Sequence, residues 1–301
     1  MSSIAYVTDE EMLEYHRLCR NRTILFWRIA SKRKIADFEK GDLLFFFARP
    51  GRSRRKALIG YAHYDCTVRL SLSQMWKQYG EATGYSSEQR LHNALLKAGK
   101  GTIPKTMQCL YLKNVVFFLS PIYPEEAGLS IPNKLESYTY IDKDDPKVTY
   151  NILKTAEKYG IDLWTADRSI SPEIIFQRDE ICHQLAVIAH DTGPDSRVEK
   201  EKQRAHRLAE ERCQTRGWEM IRGQKTDAMK LDQKNIRIAL PYVYQTNDEP
   251  ERRRELFGKI SLYRLLAKQY HLDRNVTFEI LSDKPCGKVK ELVNLINDEE
   301  L

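Results

Sequence analysis

The chain has 301 residues, of which 42% are hydrophobic and 30% are charged. That is enough apolar material for one large domain or two ordinary domains with proper cores. Lysine and arginine outnumber aspartate and glutamate by 49 to 42, which gives a formal net charge of +7. This mild basic excess suits a polyanionic partner but is equally compatible with having none.

Cysteine usage and hydropathy exclude several classes of protein. The six cysteines include no Cys-x-x-Cys pair for zinc, and they are too widely spaced for the disulfide framework of a small fold. No segment approaches the ~18 apolar residues of a membrane-spanning helix, and the first residues lack the pattern of a secretory signal. We therefore expect a soluble, cytoplasmic protein with reduced thiols and no membrane association.

The N-terminal half of the sequence is predicted to be rich in strands. Thr8, followed three residues later by Glu11, forms a capping-box arrangement that predicts the start of a short helix. Aromatic and β-branched strand composition recurs in the segments 22–30, 42–48, 56–70 and 109–119. A helical interval from Leu72 to about Lys97, with Ser86 or Ser87 as a helix cap within it, separates the last two. The first ~140 residues thus predict a small β-barrel with inserted helices.

Helical patterns dominate after the charged segment "DKDDPK". Helices are predicted at 147–160, 172–190, 197–216 and 251–271, and strands at 217–223, 235–245 and 275–281. This change of composition predicts a domain boundary near 142–146. The expected fold class is α+β, with an N-terminal β-barrel domain at 1–145, a helical connector at 146–194 and a C-terminal α/β domain at 195–301.

Three motifs in the N-terminal half follow one another in a recognisable order. The aromatic pair Phe26 and Trp27 closes the first predicted strand, "KGDLLFFFA" leads from a Gly-Asp turn into the second, and "ALIGYAHYD" follows a basic loop. In this order the motifs resemble the EVE branch of the PUA-like fold, over about residues 22–141. The resemblance implies a domain that accepts a flipped or modified base in an aromatic pocket, since every base offers a π face for stacking.

By this resemblance Trp27 is the best candidate for a wall of the base pocket, with Tyr61, Tyr64 and Trp76 behind it. The alternative is that these aromatic side chains fill the core of the barrel. Core packing is the preferred interpretation of the run Phe45–Phe47. Strand alternation directs the middle phenylalanine away from its two neighbours, so at least one face of this strand must be covered by a helix or exposed.

The segment "ARPGRSRRKA" between two predicted strands is strongly basic. Its cationic residues are Arg49, Arg52, Arg54, Arg55 and Lys56. Beside a base pocket such a loop is well placed to bind phosphates, which give affinity and register while the pocket gives selectivity. The alternative is a solvated hairpin tip without a ligand.

The C-terminal half presents a helix, a strand, a turn carrying Asp227 and Asp232, a second strand, a long helix and a final strand. This αβββαβ-like order resembles the core of the PD-(D/E)XK nuclease superfamily, over about residues 195–285. The resemblance implies a restriction-endonuclease-like fold. An active member would hold Mg²⁺ between an Asp that opens one strand and the acidic residue of a Glu-x-Lys or Asp-x-Lys motif on the next.

Asp232 fits the first of these positions, but residues 239–241, "ALP", stand where the second carboxylate and the lysine are needed. A relocated site remains open, because Glu201 could supply a further carboxylate and Lys230 or Lys234 could supply the lysine. If the domain is active, the predicted catalytic residues are Asp232, Glu201 and Lys234, and Asp232 and Glu201 are the predicted Mg²⁺ ligands. If it is inactive, no cofactor is expected.

These resemblances together predict a DNA-binding protein that reads a flipped or modified base, in restriction or another form of bacterial defence. Its nuclease-like domain is predicted to be inactive. The expected partner is DNA, and a homodimer or a defence-system partner is left open. One alternative is an active modification-dependent endonuclease with a relocated metal site. Another is a protein-interaction adaptor that binds no nucleic acid.

Overall fold

The computed structural model describes residues 3–29, 35–51, 53–143, 145–163, 171–232, 235–245 and 247–298. The chain divides into two compact units, Met1–Glu180 and Ile181–Leu301, and the division falls within a long helix. The predicted boundaries at 145 and 194 differ from this division, and the three-part organisation stays a prediction. Both units contain a sheet and helices, which confirms the α+β class.

The first unit contains six strands and four helices in its described residues, followed by the first part of the long helix α5. The strands are β1 Ile4–Val7, β2 Ile24–Arg28, β3 Leu43–Ala48, β4 Ala57–Leu70, β5 Met107–Ile122 and β6 Tyr138–Tyr140. The helices are α1 Glu10–Leu18, α2 Leu72–Tyr79, α3 Glu88–Ala98, α4 Lys147–Tyr159 and α5 Pro172–Asp191. The four predicted strands are confirmed as β2 to β5, and the short outer strands β1 and β6 were not predicted.

The six strands form one sheet in the order β2-β5-β4-β3-β1-β6, in which β1 and β3 are parallel and the other pairs are antiparallel. Within the described ranges this sheet is open at β2 and β6, so the closed barrel that we expected is not found. The sheet nevertheless curls, because Tyr6 of β1 contacts two side chains of β2. Its ring meets Phe26 at a centroid distance of 4.8 Å, and its hydroxyl accepts a hydrogen bond from Arg28 Nε at 3.1 Å. We call the line where β1 and β2 meet through side chains alone the seam.

Alternation along β3 divides the core of this unit into two clusters. Leu44 and Phe46 belong to the cluster inside the curl, whereas Phe45 and Phe47 pack on the opposite face with residues of α4 and α5, including Leu153. The prediction that Phe46 points away from its neighbours is therefore confirmed. Of the two alternatives for the face that carries Phe45 and Phe47, helical cover and exposure, the structure shows helical cover.

A buried carboxylate attaches α5 to the outer face of this sheet. Asp179 Oδ2 accepts a hydrogen bond from the Tyr61 hydroxyl at 2.8 Å and lies 2.8 Å from His63 Nε2. Asp179 and Tyr61 are both essentially inaccessible to solvent. Because a buried charge is costly without partners, the two bonds select one position of the helix on the sheet.

The helix starts were predicted with mixed success. The N-cap of α1 is Asp9, whose carboxylate accepts from the Met12 backbone N–H at 3.1 Å, whereas the Thr8 hydroxyl donates to the Tyr6 carbonyl. The Thr8 assignment was wrong because Asp and Thr are both good N-caps and stand side by side. For α3, Ser87 is the N-cap, as predicted.

The second unit arranges four strands in the order β10-β9-β8-β7. The strands are β7 Trp218–Met220, β8 Ala228–Leu231, β9 Asn235–Pro241 and β10 Asn275–Leu281. The helices other than α5 are α6 Glu199–Cys213, α7 Glu249–Gln269 and α8 Gly287–Asp298. The sequence predicted only a turn around Asp227 and Asp232, but those residues flank β8. That four-residue strand carries a lysine and is too short to show a clear alternation.

Side chains of α7 at helical spacing face the core of this unit. Leu256, Ile260, Tyr263 and Ala267 are buried in one cluster with the apolar residues of β9 and β10. Across both units, no helix of the described ranges has the length and apolar character needed to cross a membrane. All six cysteines are free thiols.

His16 makes the stability of the first unit sensitive to acid. The imidazole on α1 is fully buried, and this burial lowers its pKa to about 3. An unfolded chain binds the proton near the ordinary pKa of ~6.5, so stability is lost as the pH falls from that value toward the folded pKa. We expect this residue to reduce the free energy of unfolding by about 1.4 kcal/mol between roughly pH 7.5 and roughly pH 5.5.

The check is urea unfolding of the wild type and of His16→Gln at both pH values. The amide cannot titrate, so the variant should lose less stability on acidification than the wild type. His206→Gln, which removes a partly exposed imidazole of α6, is the matched control and should behave as the wild type does. An unchanged pH dependence in His16→Gln would contradict the assignment.

Candidate functional site

A cavity of about 740 Å³ lies at the seam of the first unit. Its lining comes from the end of β1 and the start of α1, from β2, from Tyr85, from one face of α3 and from residues 136–137 before β6. We call it the seam cavity. It exists because β1 and β2 are joined by side chains and not by a backbone ladder, which leaves space beside the free edge of β2.

Aromatic side chains form part of the lining of the seam cavity. Phe26 and Tyr85 are buried, and Tyr6 and Trp27 are half-buried. Burial, and next the nearby carboxylates of Asp9 and Glu11, raise the pKa of the Tyr85 phenol, which therefore remains a neutral hydrogen-bond donor. The predicted pocket wall, Trp27, is thus one of several aromatic surfaces that a flat ligand could contact.

Two neighbouring residues of β2 each leave a polar nitrogen unsatisfied. Arg28 is only 4% exposed, and its guanidinium lies 5.6 Å from the centre of the Tyr6 ring. Its Nε is bonded to the Tyr6 hydroxyl, but its Nη1 is buried without a hydrogen-bond partner in the structure as described, and so is Nε1 of Trp27. An unmet buried donor costs about 1–3 kcal/mol.

Sequence reasoning missed Arg28, although a signal was present. The strand "ILFWR" is apolar until its last residue, and a period of two places Arg28 on the same face as Phe26. A charged side chain on the inward face of a strand requires a partner, so the pattern could have marked it as a candidate ligand contact.

The rim of the seam cavity is charged on both sides. From α3, the face that carries Ala94 and Ala98 presents the exposed cations Arg90 and Lys97. The opposite rim carries the exposed carboxylates of three residues, which are Asp9, Glu11 and Glu136. The small side chains of Ala94 and Ala98 leave room between α3 and β2. With two cations and three carboxylates, the rim carries no excess of positive charge.

The basic loop between β3 and β4 lies beside the seam cavity. The Gly51 N–H donates to the carboxylate of Glu10, next to the lining residues Asp9 and Glu11. Further along the loop, the Lys56 ammonium donates to the Leu135 carbonyl, adjacent to the lining residue Glu136. The loop is thus tied to two segments of the rim.

Within this loop the arginines differ in their surroundings. Arg49 and Arg54 are exposed. Arg55 pairs with Glu125 at 2.7 Å and lies 4.8 Å from the centre of the Tyr123 ring. Arg52 lies outside the described residues. Burial, and next the neighbouring charge of Arg49, lower the pKa of Lys56.

The other predicted aromatic residues lie elsewhere in the unit. Tyr61 is buried on the outer face of the sheet, where it bonds Asp179. Tyr64 is half-buried, with its hydroxyl 2.8 Å from Thr67 Oγ1. Trp76 of α2 is half-buried against the inner core cluster. Trp27 is the member of the predicted set that lines the seam cavity.

In the second unit, the aspartate that opens a strand is Asp227, directly before β8. Its carboxylate is completely buried and accepts from Lys259 Nζ at 2.7 Å and from the Tyr263 hydroxyl at 2.7 Å. Burial and this carboxylate raise the pKa of Tyr263 well above its ordinary value. Ala228, the next residue, is paired with Ala239 of β9, so the facing position on β9 offers no carboxylate.

The carboxylates predicted for a metal site are engaged with arginines. Asp232 follows β8 in the turn before β9, with its side chain 43% exposed and 3.3 Å from Arg237. Glu201 is buried on α6 and lies 3.1 Å from Arg252. Lys234 lies outside the described residues. Among the residues described, no group of three His, Cys, Asp or Glu side chains is arranged to hold a metal ion.

Comparison with known proteins gives no family assignment. No family model matches the chain, and no curated protein matches it. Crystal structures of the ASCH protein of Zymomonas mobilis align with 51% of this chain at a TM-score of 0.36. The unmutated protein is 16% identical to this chain, and the alignment covers 94% of that protein. Two single-residue mutants of it are 17% and 14% identical, and the alignments cover 98% and 96% of their chains.

Proposed function

We propose that the first unit binds nucleic acid and holds one unstacked base in the seam cavity. The observation that carries this proposal is the aromatic lining of that cavity. Trp27 lines it together with Tyr6, Phe26 and Tyr85. The cavity volume of about 740 Å³ lies within the range of small-ligand sites, which is ~300–1,000 Å³.

Base and backbone would be bound by different parts of this surface. The indole of Trp27 offers a face for stacking, which is tolerant of sequence because every base has a π face. The exposed Arg49 and Arg54 of the adjoining loop would contact phosphates, which supply affinity that depends on salt. Because Gly51 ties the loop to the rim at Glu10, one strand could reach both parts.

We take DNA as the ligand, with the bound base flipped or modified, and bacterial defence as the setting. Support comes from the EVE-like motifs around Trp27 and from the basic loop. RNA of the same sequence serves as a test arm, since its 2′-hydroxyl is what distinguishes the two polymers at a given site. The adaptor alternative predicts no binding that depends on either Trp27 or the loop.

The first expected outcome concerns Trp27. Trp27→Ala should weaken binding of an oligonucleotide with one unpaired base by about 1–3 kcal/mol and remove discrimination between plain and modified bases, because the stacking surface is lost. Trp76→Ala is the matched control, since Trp76 is also half-buried but packs away from the cavity. Fluorescence anisotropy titrations measure both, with thermal melting to confirm folding. Equal affinity in the two folded variants would remove the base-binding role.

The basic loop should contribute in a different way. Replacing Arg49 and Arg54 together by Ala should weaken binding to all oligonucleotides alike and reduce the slope of log K against log salt by about 1–2, because fewer counterions are released. Titrations of plain and modified oligonucleotides at several salt concentrations measure this slope. A change confined to modified oligonucleotides would contradict the division of roles.

For the second unit we propose that the nuclease-like arrangement does not cleave DNA. The supporting observation is that Lys259 places an ammonium group against both oxygens of Asp227, at 2.7 and 2.9 Å, where a metal ligand would need a free carboxylate. Mg²⁺ requires several oxygen ligands in addition to its own waters. A carboxylate that is already neutralised by an internal cation is a poor one.

The purified chain should therefore leave plain and modified duplexes intact with Mg²⁺ or Mn²⁺. Gel analysis after prolonged incubation tests this directly. Cleavage that disappears in Asp227→Asn or in Asp232→Ala, while DNA binding persists, would instead establish the endonuclease alternative.

Asp227→Asn should also lower the free energy of unfolding by about 2–4 kcal/mol, because Lys259 and Tyr263 lose a buried acceptor. Asp232→Asn removes the exposed ion pair with Arg237. It should change the free energy of unfolding by no more than about 0.5 kcal/mol. Urea unfolding of both variants measures the difference. Equal stability of the two would show that the buried pair is not a structural element.

A further inference from the structure

We infer that α3 binds the sugar–phosphate backbone of the strand, with Arg90 and Lys97 on the two phosphates that flank the inserted base. This inference rests on the proposed base-binding function and assigns the backbone contacts of that same site. The observation behind it is the charge of the α3 residues that line the seam cavity. They include two exposed cations and no carboxylate.

The two cations lie on one face of α3. Arg90 and Lys97 are seven residues apart, which is about two helical turns and roughly 10 Å along the axis. Ala94 and Ala98 belong to the same face and line the seam cavity with them. Because Ala94 is short, the surface between the two longer side chains is low. A strand that lies along this face would meet one cation on each side of Ala94.

Neither cation is neutralised within the part of the chain that the structure describes. Arg90 and Lys97 are both exposed, and neither takes part in an ion pair there. Arg55 of the basic loop, by contrast, is paired with Glu125 at 2.7 Å. An exposed cation without an acidic partner attracts phosphate, and counterions are released when the phosphate binds. The two α3 cations are therefore available to a polyanion.

The acidic residues of the rim come from other elements. Asp9 and Glu11 lie at the start of α1, and Glu136 precedes β6. Carboxylates repel phosphate, so the backbone is disfavoured beside them and favoured along α3. Salt screens charges beyond about 8–10 Å, so each phosphate responds mainly to its nearest neighbours. The backbone therefore lies on the α3 side of the mouth, and the base points from there toward Trp27.

The experiment uses the full chain and hairpin DNA with a single bulged nucleotide. Arg90→Gln combined with Lys97→Gln should reduce the slope of log K against log salt by about 1–2, because two fewer phosphates are neutralised. Arg69→Gln combined with Lys77→Gln is the matched control and should keep the wild-type slope. It also removes one exposed arginine and one exposed lysine, which form no ion pair among the described residues and do not line the cavity. Thermal melting confirms that both variants fold.

A change in the DNA locates the contacts. Uncharged methylphosphonate groups replace the two phosphates that flank the bulged base. In the wild type each replacement should weaken binding by about two- to fivefold, the size of an exposed ion pair. In the α3 double variant the same replacements should have little further effect, because the cations are already absent. Two methylphosphonates in the stem, away from the bulge, are the matched control and should affect both proteins alike.

The outcomes separate this inference from the proposed function. Equal salt slopes in the α3 variant and the control variant, with dependence on Trp27 retained, would overturn the backbone assignment and leave the base cavity intact. A reduced slope with an unchanged methylphosphonate effect would also overturn it, because α3 would then act only through general attraction. Loss of any dependence on Trp27 would remove both.

Discussion

The contact of Tyr6 with Phe26 and Arg28 determines how the first unit is built. It brings β1 and β2 together although they are not neighbours in the sheet, and it does so without backbone hydrogen bonds. An edge-to-face aromatic pair contributes about 0.5–1.5 kcal/mol beyond the area it buries, so a few such contacts can hold the curl. Had the two strands paired fully, backbone would occupy the place of the seam cavity. The same contact orients Arg28 and leaves one of its nitrogens without a partner.

The two units differ in how their buried charges are satisfied. In the first, Nη1 of Arg28 is buried without a hydrogen-bond partner in the structure as described. In the second, the carboxylate of Asp227 is enclosed by the ammonium of Lys259 and the hydroxyl of Tyr263. A fully bonded buried charge favours a fixed structure. The aromatic lining of the seam cavity is the physical reason for proposing recognition in the first unit, and the enclosed carboxylate of Asp227 is the reason for proposing a non-catalytic role in the second.

The sequence predicted most of the longer elements, although not α8, and fewer of the short ones. The strands β2 to β5 and the helices α4 to α7 have many residues with clear periodicity, so pattern alone identified them. The strands β1, β6 and β8 have three or four residues each and carry too little pattern. The open sheet could not be predicted, because the way its ends meet depends on side-chain contacts between distant strands, such as that of Tyr6 with Arg28, which are 22 residues apart.

The candidate site was predicted in part for similar reasons. Trp27 was selected through a family-like motif, and the structure places it in the lining of the seam cavity. Arg28 was missed because a charge at a strand end usually faces solvent, and only its burial reveals the need for a partner. Asp232 was chosen over Asp227 because a strand as short as β8 hides which aspartate opens it. The pairing of Asp227 with Lys259 spans 32 residues and has no local signature.

The central claim is that a base enters the seam cavity and stacks on Trp27. The most direct measurement replaces the bulged base with 2-aminopurine and records its fluorescence when the DNA is saturated with protein. Stacking on an indole quenches this base, so the wild-type complex should be dim and the Trp27→Ala complex distinctly brighter. Equal fluorescence in the two saturated complexes would show that the base does not meet Trp27, and would contradict the account.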